Sequence, residues 1–210
     1  MPSVMHVAQK LRLWIFCAFV AIGLTACAAP PGEYASDAAI AAARYSNGGA
    51  PELTLVTIMN YQTGNGDHTA LFINGTERVL FDPAGSWKLD GVPERNDVHF
   101  GMAPRIGASF YLSHVRPSHY AVVQRLRVTP EIAEQVKALA LQVGPVPPAQ
   151  CALSTSRILQ QMPGMEGIRV GWYPHNLMRS FAQLPGVMTY EIHHDAPDAL
   201  EQSYRVQTPL

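Results

Sequence analysis

The order of the elements predicts an α+β fold, a small antiparallel sheet of about four or five strands packed against helices. Three observations carry this. Strand-like blocks fill residues 53 to 82 and recur at 119 to 128, whereas helix starts and stops dominate from Thr129 onward. Hydrophobic residues make up 48% of the chain and charged residues 15%, a composition that builds an apolar core and excludes disorder over most of the length. The 15 Lys and Arg side chains nearly cancel the 16 Asp and Glu, leaving a formal net charge of −1, so nucleic acid is not an expected partner.

The first 26 residues read as a cleavable signal. Lys10 and Arg12 form a basic start with no acid, and the apolar run Leu13 to Leu24 follows. The run closes on Leu24-Thr25-Ala26-Cys27, which resembles the lipobox of bacterial lipoproteins. That resemblance implies that Cys17 leaves with the signal and that Cys27 is acylated to become the membrane-anchored N-terminus, held by more than one acyl chain. Ala28, where an aspartate would favour inner-membrane retention, then implies the outer membrane, facing the periplasm. The alternative is an uncleaved anchor, since about 17 apolar or small residues from Leu13 to Ala29 reach the lower limit of a bilayer span. Loss of Lys10 and Arg12 with the signal leaves 13 basic against 16 acidic side chains, a net charge of −3.

Residues 27 to 50 read as a lipidated N-terminus and tether, Ala-rich, with Ser36-Asp37 capping a short helix over 38 to 45. One domain spans 51 to 190. Its first strand is Leu53 to Met59, and the turn cluster Thr63-Gly64-Asn65-Gly66-Asp67 leads to a second, His68 to Ile73. A hairpin loop at Asn74-Gly75-Thr76 returns the chain as Glu77 to Asp82. Residues 83 to 118 are rich in Gly and Pro, a connection long enough to be functional, with a short helix where Ile106, Phe110 and His114 recur every four residues. His119 to Val128 is the fourth strand.

Thr129-Pro130-Glu131 combines a hydroxyl cap, a proline in the first turn and an acid at the positive end of the dipole, so a helix starts there. Ile132, Val136, Leu139, Ala140 and Val143 form its apolar stripe, and Gly144-Pro145 stops it. A second helix begins near 149 to 151 and ends at Pro163-Gly164; a third follows Pro174 and ends at Pro185-Gly186. Residues 191 to 210 read as a polar C-terminal tail.

Once Cys17 and Cys27 are accounted for, Cys151 is the lone thiol of an exported chain, either a buried core side chain or a reactive group. Its position at a helix start favours reactivity, because unsatisfied backbone amides and the dipole stabilise a thiolate and an oxyanion. A thiolate nucleophile needs a base and an orienting partner. His68 is the candidate base, at a sheet end beside a Gly-rich turn. A three-residue hairpin loop pairs His68 with Asp82 on one face, making Asp82 the orienter; a two-residue turn pairs His68 with Phe81 instead.

The histidine strand His68 to Ile73, its hairpin partner ending Phe81-Asp82-Pro83-Ala84-Gly85-Ser86, and the later helix start Cys151-Ala152-Leu153-Ser154 together resemble the circularly permuted NlpC-type papain-like superfamily. That superfamily includes lecithin:retinol acyltransferase-like enzymes and bacterial envelope amidases. The resemblance implies a permuted papain-like fold with Cys151 as nucleophile, His68 as base and Asp82 as third polar residue. It implies a cysteine amidase, peptidase-like hydrolase or acyltransferase acting on envelope substrates: peptidoglycan peptides first, lipid esters or acylated proteins next. A non-catalytic binding or scaffolding lipoprotein on the same fold is the competing expectation. No cofactor is expected, and no metal: His193-His194-Asp195 sits on an extended tail where adjacent side chains diverge, and His99, His114, His119 and His175 lack zinc-ligand spacing.

Overall fold

The computed structural model describes residues 34–209; the signal, Cys17, Cys27 and Ala28 lie outside the described residues. Seven antiparallel strands form one sheet: β1 (Glu52–Asn60), β2 (Gly66–Asn74), β3 (Arg78–Phe81), β4 (Glu94–Arg95), β5 (Val98–His99), β6 (His119–Arg127) and β7 (Met188–Ile192). Their spatial order is β4-β5-β3-β2-β1-β6-β7, so β1 and β2 are central. Among the described residues the helices are α1 (Asp37–Ala43), α2 (Pro104–His114), α3 (Pro130–Val143), α4 (Cys151–Leu159), α5 (Pro174–Phe181) and α6 (Ala199–Arg205). The α+β class is as expected, with more strands.

Strand alternation divides the interior into two apolar layers. Leu53, Leu55, Leu71 and Ile73 face one side, against Val136 and Ala140 of α3, Ala152 and Ile158 of α4, and Leu177 and Phe181 of α5. Val56, Ile58, Ala70 and Phe72 face the other, against Phe110 and Tyr111 of α2 and Val206 beyond α6. Period-2 burial on both faces explains why β1 reads as an almost continuous apolar run. Helix α3 starts as its sequence predicts: the Thr129 hydroxyl accepts from the Ile132 amide at 3.3 Å, and Pro130 occupies the first turn. Among the described residues no helix is long and apolar enough to cross a membrane.

Three regions differ from the sequence reading. Two very short strands, β4 and β5, lie inside the 83 to 118 connection, where two residues each are too few for a periodic signal. Part of the expected tether is docked: the Ala35 amide donates to Glu94 O, the Arg78 amide donates to Tyr45 O, and the Arg95 guanidinium pairs with Asp37. The expected polar tail, 191 to 210, is packed: its first two residues finish β7, and the rest folds back onto the sheet. Residues of β7 pair with β6, and the Gln207 side chain is buried, accepting from Arg78 NH1 at 3.0 Å and donating to Pro104 O at 2.9 Å. Polar side chains are buried there because they meet a buried guanidinium and a helix-start carbonyl, satisfying both sides.

Candidate active site

The turn at 61 to 65 delivers β2 with His68 near its open end, opposite Ile58 of β1. On the other edge of β2, the pairing with β3 stops at Leu71 and Phe81. Below that point β3 has left the sheet, so β2 carries a free edge beside His68. Asp82 immediately follows β3, and Cys151 opens α4, which packs on β2. The three side chains therefore meet where one strand ends early.

The hairpin register is neither of those expected. Ile73 pairs with Val79 and Asn74 with Arg78, so the loop is Gly75-Thr76-Glu77, and Asp82 falls two residues from the position across from His68. A slip of two preserves the side-chain face, as a slip of one would not. The expected contact consequently forms along a diagonal: His68 Nε2–H donates to Asp82 Oδ1 at 2.6 Å. This leaves Nδ1 as the ring nitrogen available to the Cys151 thiol, whose titration is coupled to that of the His68 ring. The structure thus brings Cys151, His68 and Asp82 together.

The electrostatics follow from these contacts. Burial pushes the His68 imidazole down, but its bonds to Asp82 and Cys151 outweigh burial and hold it up to about 10. Burial pushes the Cys151 thiol up, yet its hydrogen bond to His68, the imidazolium charge and the backbone N–H groups of Thr69 and Ala152 bring it below its ordinary value. The Thr69 amide lies on the stretch of β2 beyond the reach of β3. The Ala152 amide belongs to the first turn of α4, whose N-cap Gln150 makes no side-chain cap. The charged imidazole beside the thiol therefore favours the thiolate form of Cys151.

Asp82 is only 2% exposed, and its Oδ2 has no hydrogen-bond partner among the described residues. Gly85 closes over it: the Gly85 amide donates to Asp82 O at 3.0 Å, and a Cβ on Gly85 would overlap the carboxylate. Asp97 binds the two halves of the site together. Its backbone carbonyl accepts from the Asp82 amide at 2.8 Å, and its Oδ2 accepts from the amides of Ala84 and Val146 at 3.2 and 2.7 Å. One carboxylate thereby ties the end of β3 to the 144 to 150 turn that launches α4. Gly144 in that turn lies so close to the Asn96 backbone that no Cβ fits.

Among the described residues four non-glycine residues have positive φ: Ala84 at 55°, Asn96 at 53°, Asp97 at 60° and Ala149 at 65°. All four lie on the segments that carry Asp82, Asp97 and Cys151. Such strain persists only where surrounding contacts over-determine the backbone, and it concentrates at functional sites.

The site opens into a cleft of about 380 Å³ lined by His68, Gly85, Ser86, His114, Arg116 and His119, among others. His114 ends α2 and stacks on His68, ring centroids 5.8 Å apart and planes 12° from parallel. Its Nδ1–H donates to Phe110 O at 2.8 Å, and burial holds its pKa below the usual imidazole value. His99 is buried edge-on to Trp87. Among the described residues no cluster of His, Cys, Asp or Glu could hold a metal ion. His193 stacks on Tyr120 and bonds the Tyr61 hydroxyl, on a packed strand end and not on a solvated tail.

Sequence reasoning missed His114 as a neighbour of His68, Asp97 as a tie, and Gly85 as a lid. The recurrence ending at His114 and the Asn96-Asp97 pair, residue types that tolerate positive φ, were the available signals. Comparison of the chain with protein-family models, curated proteins and solved structures finds no match.

Proposed function

We propose that this chain is a lipid-anchored cysteine hydrolase or acyl transferase of the cell envelope, built on a permuted papain-like fold. The observation that carries this reading is the continuous line of Cys151 thiol, His68 imidazole and buried Asp82 carboxylate. In the reaction, the Cys151 thiolate attacks an amide or ester carbonyl carbon and the carbonyl electrons move onto oxygen. First-turn amides of α4 face the developing charge. The His68 imidazolium gives its proton to the departing amine or alkoxide, leaving a thioester on Cys151. The neutral imidazole then takes a proton from water or another acceptor, which attacks the thioester; the acyl product leaves and the thiolate and imidazolium are restored. Asp82 holds the ring and balances its positive charge throughout.

The envelope location rests on the signal and lipobox sequence ending at Cys27, with Ala28 favouring the outer membrane facing the periplasm. Peptidoglycan peptides are the substrate class best matched to that location, with lipid esters or acylated proteins next. One observation favours a second reading, a non-catalytic binding module: Cys151 is only 5% exposed and does not border the cleft.

The pH dependence of alkylation at Cys151 separates the two. The enzyme reading expects an inflection below the ordinary thiol value of about 8.5, moved upward by His68→Ala. A thiol that resists alkylation in the folded chain, or one with an ordinary inflection indifferent to His68→Ala, overturns it.

A further inference from the structure

Next to the His68 imidazole, the cleft holds a second ordered group of polar residues that the chemistry above leaves unused. Asp67 Oδ2 accepts from His119 Nε2–H at 2.8 Å and from Asn60 Nδ2 at 3.1 Å. Burial pushes the Asp67 carboxyl up, but the bonds from His119 and Asn60 outweigh burial and hold it below its ordinary value. With Nε2 donating, His119 Nδ1 is an acceptor, shared between the Ser118 hydroxyl at 2.7 Å and Arg116 Nε at 3.3 Å. The backbone of Arg116 and His119 is closed by two reciprocal bonds, at 3.0 and 2.8 Å, which hold the two side chains side by side.

Arg116 is thus tethered through Nε alone. Among the described residues its two terminal nitrogens make no hydrogen bond and it forms no ion pair; the Asp67 carboxylate, bonded to His119 and Asn60, acts on it only through its charge. The guanidinium lines the His68 cleft and also an adjoining hollow of about 420 Å³ with Tyr61, Pro117, His193 and Asp195. Tyr61, Tyr120 and His193 stack there, with Tyr120 4.7 Å from Tyr61 and 5.0 Å from His193 between ring centroids. A shelf of stacked rings therefore flanks a guanidinium whose two terminal nitrogens are open. The chemical match to such a fork is a carboxylate received by two parallel N–H bonds. Asp195 across the hollow disfavours a second anionic group.

We propose that Arg116, positioned by His119 and Asp67, is the specificity-determining residue of the cleft and receives one carboxylate of the substrate while the aromatic shelf supports the adjacent part of the molecule. This rests on the cysteine-hydrolase reading only in naming the bound molecule as substrate. The test is binding, in the full Cys151→Ala chain in detergent, of N-acetyl-Ala-Ala-Ala with a free C-terminal carboxylate and of the same peptide as its amide. The carboxylate form is expected to bind at least about tenfold more tightly, equivalent to ~1.4 kcal/mol, and to shift the nuclear resonances of Arg116 Nε–H and the His119 ring. Arg116→Gln is expected to erase the preference and Arg116→Lys to retain part of it. Equal binding of the two peptides, binding of neither, or a preference that survives Arg116→Gln overturns the proposal. Failure of the hydrolase reading appears separately, in the alkylation profile of the unsubstituted thiol.

Discussion

The two ends of the central strand pair carry buried acid–base pairs of opposite character. At one end Glu52 pairs with Arg125 through both carboxylate oxygens, at 2.8 and 2.7 Å. Thr54 adds a bond to Oε1 at 2.7 Å, and Arg125 Nη2 also donates to Thr208 O at 2.6 Å. At the other end His68 meets one oxygen of Asp82, the second oxygen has no partner, and the flanking backbone is strained at four residues. The first pair fastens the C-terminal segment to the sheet, and both of its carboxylate oxygens are bonded. The second keeps an unsatisfied oxygen and a polarised imidazole beside a thiol and a cleft. Buried charge as such does not mark a site; incomplete satisfaction next to a nucleophile does.

That contrast is sharpest under substitution. Glu52→Ala leaves the Arg125 guanidinium uncompensated and is expected to lower unfolding stability by about 3–5 kcal/mol, with the alkylation profile of Cys151 unchanged. Asp82→Asn is expected to do the reverse, slowing Cys151 alkylation at neutral pH on the order of 10²-fold with a smaller stability change in urea. If both substitutions move the same observable, the two ends are not different in kind.

The pH dependence of stability isolates the His68 end. Its folded pKa is raised from 6.5 to about 10, so its stabilising share is complete below about 6.5 and is lost as pH rises through about 10. Cys151 has the opposite sign: its lowered pKa stabilises above the ordinary thiol value, and that share fades as pH falls through the lowered one. The stability gap between the wild-type chain and His68→Gln, measured by urea unfolding, is therefore expected to be wide near pH 6 and to narrow above about pH 10. A gap independent of pH would show that His68 contributes by packing alone.

The smallest expected effect concerns the strain. Ala149 sits at φ 65°, and Ala149→Gly removes the Cβ penalty at the entrance to α4. A gain of up to about 1 kcal/mol in unfolding stability is expected. A loss would mean that the Ala149 methyl group packs to more effect than its backbone is strained.

Much of this site was legible in the chain. Cys151 stood out by elimination and by its place behind a proline-rich turn, and His68 by opening a strand after glycines. Asp82 was reached through alternation, which survives a two-residue register slip because side-chain direction repeats every two residues. The ladder that made that slip was not legible, since Asn74-Gly75-Thr76 accommodates more than one turn. Strand β7, mostly exposed, and the two-residue strands β4 and β5 lack the periodic apolar signal that betrays a strand. Gln207 looked like solvent-facing polarity because its partner Arg78 lies far away in sequence.

By itself the sequence determined the class of the fold, the central strands, the capped helix at Thr129 and the residue types of a thiol, an imidazole and a carboxylate in a given order. Those features depend on local periodicity, capping and turn chemistry, which act over a few residues. Only the tertiary structure decided that β3 ends early enough to free the Thr69 amide, that Asp97 ties the two halves of the site, that His114 stacks on His68, and that Arg116 stands open in the same cleft. Each of these joins segments distant along the chain, and the free energy that joins them comes from packing and from satisfying buried polar groups, which no local pattern encodes.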